Sequence, residues 1–90
     1  MAKWNTTCIE FKQVRELIEN DGDNNEILSL LAKICRKLTT VDEDFEYDFE
    51  DLADEIEIGI DDSDLDDEVV DYYLDEFYDL CDAARIWLGL

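Results

Sequence analysis

Proline and histidine are both absent from these 90 residues, and glycine occurs three times. Without proline, the commonest helix breaker is gone. The absence of histidine removes the side chain most used for general acid–base work, and three scattered glycines make no phosphate-cradling loop. No cysteine stands beside a plausible base, and the only serines are Ser29 and Ser63, so nucleophilic catalysis has no candidate constellation. A non-enzyme is expected. There is no run of 18 apolar residues, and no basic stretch leads into an apolar segment at the N-terminus. The chain is therefore read as soluble, unexported and cytoplasmic, with no membrane partner. Cysteine is sparse and odd in number. Cys8, Cys35 and Cys81 lie far apart among apolar neighbours, the pattern of buried reduced thiols rather than a disulfide framework.

The most informative shortage is of positive charge. Between Leu38 and Ala84 there is no Lys or Arg, while that stretch holds 21 of the 27 acidic residues. Residues 42–90 sum to −20 and residues 1–41 to zero. Such a field costs stability through self-repulsion. It also repels nucleic acid and anionic membranes, so the expected partner is a basic protein, with no direct nucleic-acid binding. High charge is the usual mark of disorder, but ten aromatics and regular apolar spacing predict that the acidic half folds. Length limits the chain to one domain, 1–90, in which a charge-neutral support, 1–41, carries an acidic half, 42–90.

The apolar spacing predicts four helices, and hence an all-α fold. Trp4, Cys8, Phe11, Val14 and Ile18 recur at threes and fours, with Thr7 and Glu10 as a capping box, giving a helix over about 8–20. The turn at 20–25 precedes a second helix over about 26–38, capped by Asp23 with Glu26; its wide apolar face marks it as the most buried element. In the third segment, Phe45, Tyr47 and Phe49 alternate, as do Ile56, Ile58 and Ile60, which fits an edge strand. Phe45, Phe49, Leu52, Ala53, Ile56 and Ile60 nevertheless share one arc at about 100° per residue, which favours a helix capped by Thr40 with Glu43 and stopped at Gly59. Ser63 is expected to cap a long fourth helix, about 64–88, with Val69, Tyr73, Phe77, Leu80, Ala84 and Trp87 facing inward and Arg85 in its last turn.

This placement turns the charge run into geometry. Asp64, Glu68, Asp71, Asp75, Asp79 and Asp82 fall opposite the apolar stripe of helix four, roughly 5–6 Å apart. Glu43, Glu46, Glu50, Asp54 and Glu57 form a second row on helix three, with Asp44, Asp51 and Glu55 on its other flank and Tyr47 between. Duplex DNA carries about one charge per 1.7 Å of axis; one row is sparser, but two or three adjacent rows approach that density. An acidic helix face is ordinarily just a solvated face, but here the sign never alternates. Tyr47 and Tyr78 are candidate anchors in this platform, or packing residues at helix edges. Asp21 and Asp23, in the first turn, are expected to contribute little.

No metal or cofactor is expected. An EF-hand needs Gly at loop position 6 and Glu at 12. Starting at Asp21 these are Glu26 and Ala32; starting at Asp62 they are Asp67 and Tyr73. Paired carboxylates do acid–base work only in a cleft that perturbs one of them, and so small a helical core promises none.

Residues 42–82 resemble, in charge density alone and without a diagnostic motif, the small acidic DNA-mimic inhibitors that bacteriophages carry against restriction enzymes and CRISPR effectors. The resemblance implies an inhibitor acting in the host bacterial cytoplasm on the nucleic-acid-binding surface of such a nuclease. A second class, the acidic immunity proteins that neutralise basic nuclease toxins, is also similar. Their adjacent tyrosines precede proline, whereas Tyr72-Tyr73 here precede Leu74-Asp75. An acidic chaperone shielding a basic protein is the further alternative.

Overall fold

The computed structural model describes residues 6–7, 10–41, 43–62 and 65–88. It is an all-α domain of four helices: α1 (Phe11–Glu19), α2 (Asn24–Leu38), α3 (Glu46–Asp62), entered through a 3-10 turn at Glu43–Phe45, and α4 (Asp67–Ala84). Thr6–Thr7 (β1) pairs in parallel with Ile86–Trp87 (β2), Thr6 opposite Ile86 and Thr7 opposite Trp87. The Cα envelope of 38 × 27 × 17 Å is about two helix layers thick.

Each helix starts and stops for a local reason. α1 begins later than the spacing predicts, because the Thr6–Thr7 backbone is paired in β1 and Glu10, at the N-cap, makes no side-chain capping bond. Its C-terminus closes tightly: Asp21 adopts φ 55° and the Gly22 amide donates to the Leu17 carbonyl at 2.6 Å. A Cβ on Gly22 would lie 2.9 Å from that oxygen, so only glycine fits without displacement. Asp23 caps α2 as expected, accepting from the Asn25 amide at 3.0 Å. Thr40, expected to cap α3, instead closes α2: the Thr39 and Thr40 hydroxyls donate to the Arg36 and Lys37 carbonyls at 2.6 and 2.9 Å. They satisfy acceptors that every helix C-terminus leaves open.

Further expectations are corrected. Gly59 does not stop α3, which runs on to Asp62. It admits a neighbour instead: the Tyr73 hydroxyl, donating to the Glu55 carbonyl at 3.2 Å, would sit 2.8 Å from a Cβ at position 59. The fourth helix is capped by Asp66, which accepts from the Val69 amide at 3.0 Å; Ser63 lies outside the described residues. α4 ends at Ala84, where Arg85 takes a left-handed cap with φ 60°. Beyond it the period changes from 3.6 to 2, so Ile86 and Leu88 are buried while Trp87, expected inside, is exposed.

The core is built around three phenylalanines from three helices. Phe11 stacks on Phe77 at 5.4 Å and Phe49 meets Phe77 edge-on at 6.4 Å, geometries that aromatic quadrupoles favour. α2 supplies the base of this core with Ile27, Leu28, Leu31, Ile34, Cys35 and Leu38 and packs most extensively on α3. On α4 the buried residues are Val70, Leu74, Phe77, Cys81 and Ala84, a stripe rotated from the expected one; Val69, Tyr73 and Leu80 are half-buried. Cys35 and Cys81 are buried, and Cys8 lies outside the described residues. Among the described residues no charged side chain is buried. The acidic residues therefore reach the surface.

Candidate partner-binding surface

The outer face of α4 follows from where its core face points. With Val70, Leu74, Phe77 and Cys81 turned inward, Asp67, Glu68, Asp71, Asp75, Asp79 and Asp82 fall within an arc of about 120° that runs from the edge of the core stripe, beside Leu74, onto the outer face, and all are exposed. Among the described residues, no Lys or Arg pairs with them. Glu76 adds a seventh carboxylate between Asp67 and Asp82, over about 22 Å of helix axis at 1.5 Å per residue. That is about one charge per 3 Å, close to the 3.4 Å phosphate rise of one DNA strand. Asp64, expected to head this row, lies outside the described residues.

The row on α3 is different in one respect that the sequence did not reveal. Arg36 of α2 reaches across and pairs with two of its members. The guanidinium donates to Asp54 at 2.8 Å and, through Nε, to Glu57 at 2.8 Å. These bonds, Glu57 first and Asp54 second, raise the Arg36 pKa above its ordinary value. The acidic half therefore does have a counter-charge, supplied from the neutral half. Glu46 and Glu50 on the same row remain exposed, as does Glu43 in the preceding 3-10 turn. Lys37 pairs with Glu10 and Arg15 with Glu19, so further cations of the support neutralise its own acids.

The two candidate tyrosine anchors fall into different environments. Tyr47 stands out from α3 with 74% of its surface exposed. Tyr78 is half-buried, its ring edge-on to Phe11 at 5.5 Å, and so is a packing residue at the core's rim. Ile58, missed in the sequence reading, is 60% exposed. It lies three turns from Tyr47 on the same outward stripe, and its position opposite the arc of Phe49, Ala53 and Ile56 was the available signal.

Among the described residues, no three His, Cys, Asp or Glu side chains are grouped to hold a metal ion, and no helix is long and apolar enough to cross a membrane. The chain matches no family model, no curated protein and no solved structure.

Proposed function

We propose that this protein is a stoichiometric inhibitor that occupies the nucleic-acid-binding surface of a basic bacterial defence nuclease, a CRISPR effector or a restriction enzyme. The observation that carries this reading is the row on α4: exposed carboxylates, without a Lys or Arg partner among the described residues, at the linear charge density of one nucleic-acid strand. Lys and Arg side chains that hold phosphates would be met by Asp71, Asp75, Asp79 and Asp82 instead. Such complementarity accelerates encounter. Affinity then depends on slow dissociation, for which Tyr47, projecting from α3 among Glu46, Glu50 and Asp51, is the candidate anchor.

Order of addition tests the mechanism. A pull-down from bacterial lysate, with and without competing DNA, supplies the effector. Inhibition is strong when the protein meets the effector before DNA, weakens with salt, and disappears when slowly exchanging DNA is bound first. Full inhibition of a preformed effector–DNA complex would reject competition for the nucleic-acid surface.

A further inference from the structure

The turn between α1 and α2 lies against the first turns of α4, and together they border an open groove of about 390 Å³. Its lining is mixed: buried Ile27, Val70 and Leu74 and half-buried Ile18 supply an apolar part smaller than the polar part. Its rim is acidic, with Asp21 from the turn and Asp67 and Asp71 from α4. The rim is also held in place. The Asn24 side chain donates to the Leu65 carbonyl at 3.0 Å and to Asp67 at 3.4 Å, tying the start of α2 to the start of α4. Asp21 is fixed by its left-handed backbone beside the Gly22–Leu17 bond.

Two other grooves carry their own cations. The α1–α2 groove includes Lys33 and Lys37, and the α2–α3 groove Lys33 and Arg36. Among the described residues, the groove at α4 is lined by carboxylates and by no Lys or Arg. The N-termini of α2 and α4 lie beside it, each equivalent to roughly half a positive charge. Three full carboxylate charges outweigh these, so the charge around the groove is net negative. Asp23 and Asp66, which cap the two helices, offset the dipoles further.

We propose that this groove receives an arginine side chain of the basic partner, an assignment that rests on the reading of this chain as a binder of basic proteins. The match is chemical. An arginine has an apolar stem suited to the apolar part of the lining, where Ile18 is half-buried. Its head is a weakly hydrated planar fork with five donors, able to bridge carboxylates on different elements. Lysine presents a compact, strongly hydrated charge without a planar fork, less able to bridge carboxylates on different elements. Asp21, expected from sequence to contribute little, thereby becomes part of the binding surface.

The test is a titration of the full-length 15N-labelled chain with the capped peptides Ac-Gly-Arg-Gly-NH2 and Ac-Gly-Lys-Gly-NH2, read by amide chemical shifts. The arginine peptide is expected to give saturable shifts centred on Gly22, Asn24, Ile27, Val70 and Asp71, with at least threefold tighter binding than the lysine peptide. Asp21→Asn with Asp71→Asn should weaken it at least fivefold. Asparagine keeps the left-handed turn at 21, and the unperturbed spectrum of the variant verifies its fold. Asp75→Asn with Asp79→Asn, outside the groove, should leave this binding within twofold. Shifts spread evenly along α3 and α4, equal binding of the lysine peptide, or equal losses from both variant pairs would overturn the assignment. Failure here is separable from failure of the proposed function. A chain that excludes DNA from an effector but does not bind the arginine peptide has lost only the groove; one that binds the peptide yet never competes with DNA has lost only the inhibitor reading.

Discussion

Gly59→Ala should change the sign of its effect on stability when Tyr73 loses its hydroxyl. In an open helix interior, alanine is favoured over glycine by about 1 kcal/mol. Here the new Cβ would lie 2.8 Å from the Tyr73 hydroxyl oxygen, but 3.4 and 3.5 Å from ring carbons Cε2 and Cζ. The hydroxyl must move, giving up its bond to the Glu55 carbonyl. A lost hydrogen bond costs about 1 kcal/mol, and pushing the ring off its rotamer about another 1 kcal/mol. In the wild-type background the substitution is therefore expected to be neutral to destabilising, by up to about 1 kcal/mol. In a Tyr73→Phe background the clash is gone and the ring contacts are ordinary, so it should stabilise by about 1 kcal/mol. The coupling is thus about 2 kcal/mol at most, and 1 kcal/mol moves the melting temperature of a domain this size by about 4–8 °C. Circular dichroism melts and urea titrations of the four proteins in this double-mutant cycle measure it. Equal stabilisation by Gly59→Ala in both backgrounds would refute the idea that glycine is there to admit the Tyr73 hydroxyl.

Salt should raise the melting temperature, because carboxylates roughly 5–6 Å apart on α3 and α4 repel within a Debye length of about 10 Å at 0.1 M; a shift below about 2 °C between 10 and 500 mM sodium chloride would contradict an unpaired anionic surface. The Tyr73 pKa is raised above its usual 10 by burial first, then by Glu55 and Tyr72. A raised folded pKa gives a contribution that is complete below pH 10, where the hydroxyl is neutral in both states, and is lost as pH climbs through the folded value. The fall in melting temperature between pH 8 and 11 should therefore be smaller in Tyr73→Phe than in wild type, and equal falls would count against it.

What the sequence carried and what it hid follow from the range of the interactions involved. α2 was legible because its signals are local: Asp23 caps it, and its apolar positions cover a wide face. The acidic exposure of α4 was legible because apolar and charged positions there are sorted at helical spacing. The rotation of the α4 core was not. Val69, Tyr73 and Leu80 are as apolar as Val70, Leu74 and Cys81, and the choice between them depends on the α3 partner, whose Gly59 admits Tyr73, and on Ile86 and Leu88 returning to the core. Gly59 itself carries the same letter whether it ends a helix or admits a neighbour. Arg36 stood in the neutral half, and its pairing with Asp54 and Glu57 exists only because α2 packs along α3. The groove beneath Asp21 likewise joins residues some 50 positions apart in sequence.

The measurement that bears on the inhibitor reading is a matched-charge comparison of competition with DNA for the captured effector. Asp75→Asn, Asp79→Asn and Asp82→Asn together remove three charges from the outer face of α4, beyond the arginine groove. Glu16→Gln, Glu19→Gln and Glu26→Gln remove three exposed charges from the support helices. The α4 triple is predicted to lose at least tenfold in apparent affinity and the support triple less than twofold, with helicity unchanged in both. Equal losses from the two triples would show that net charge alone drives binding, and would contradict a defined acidic surface standing in for a nucleic-acid strand.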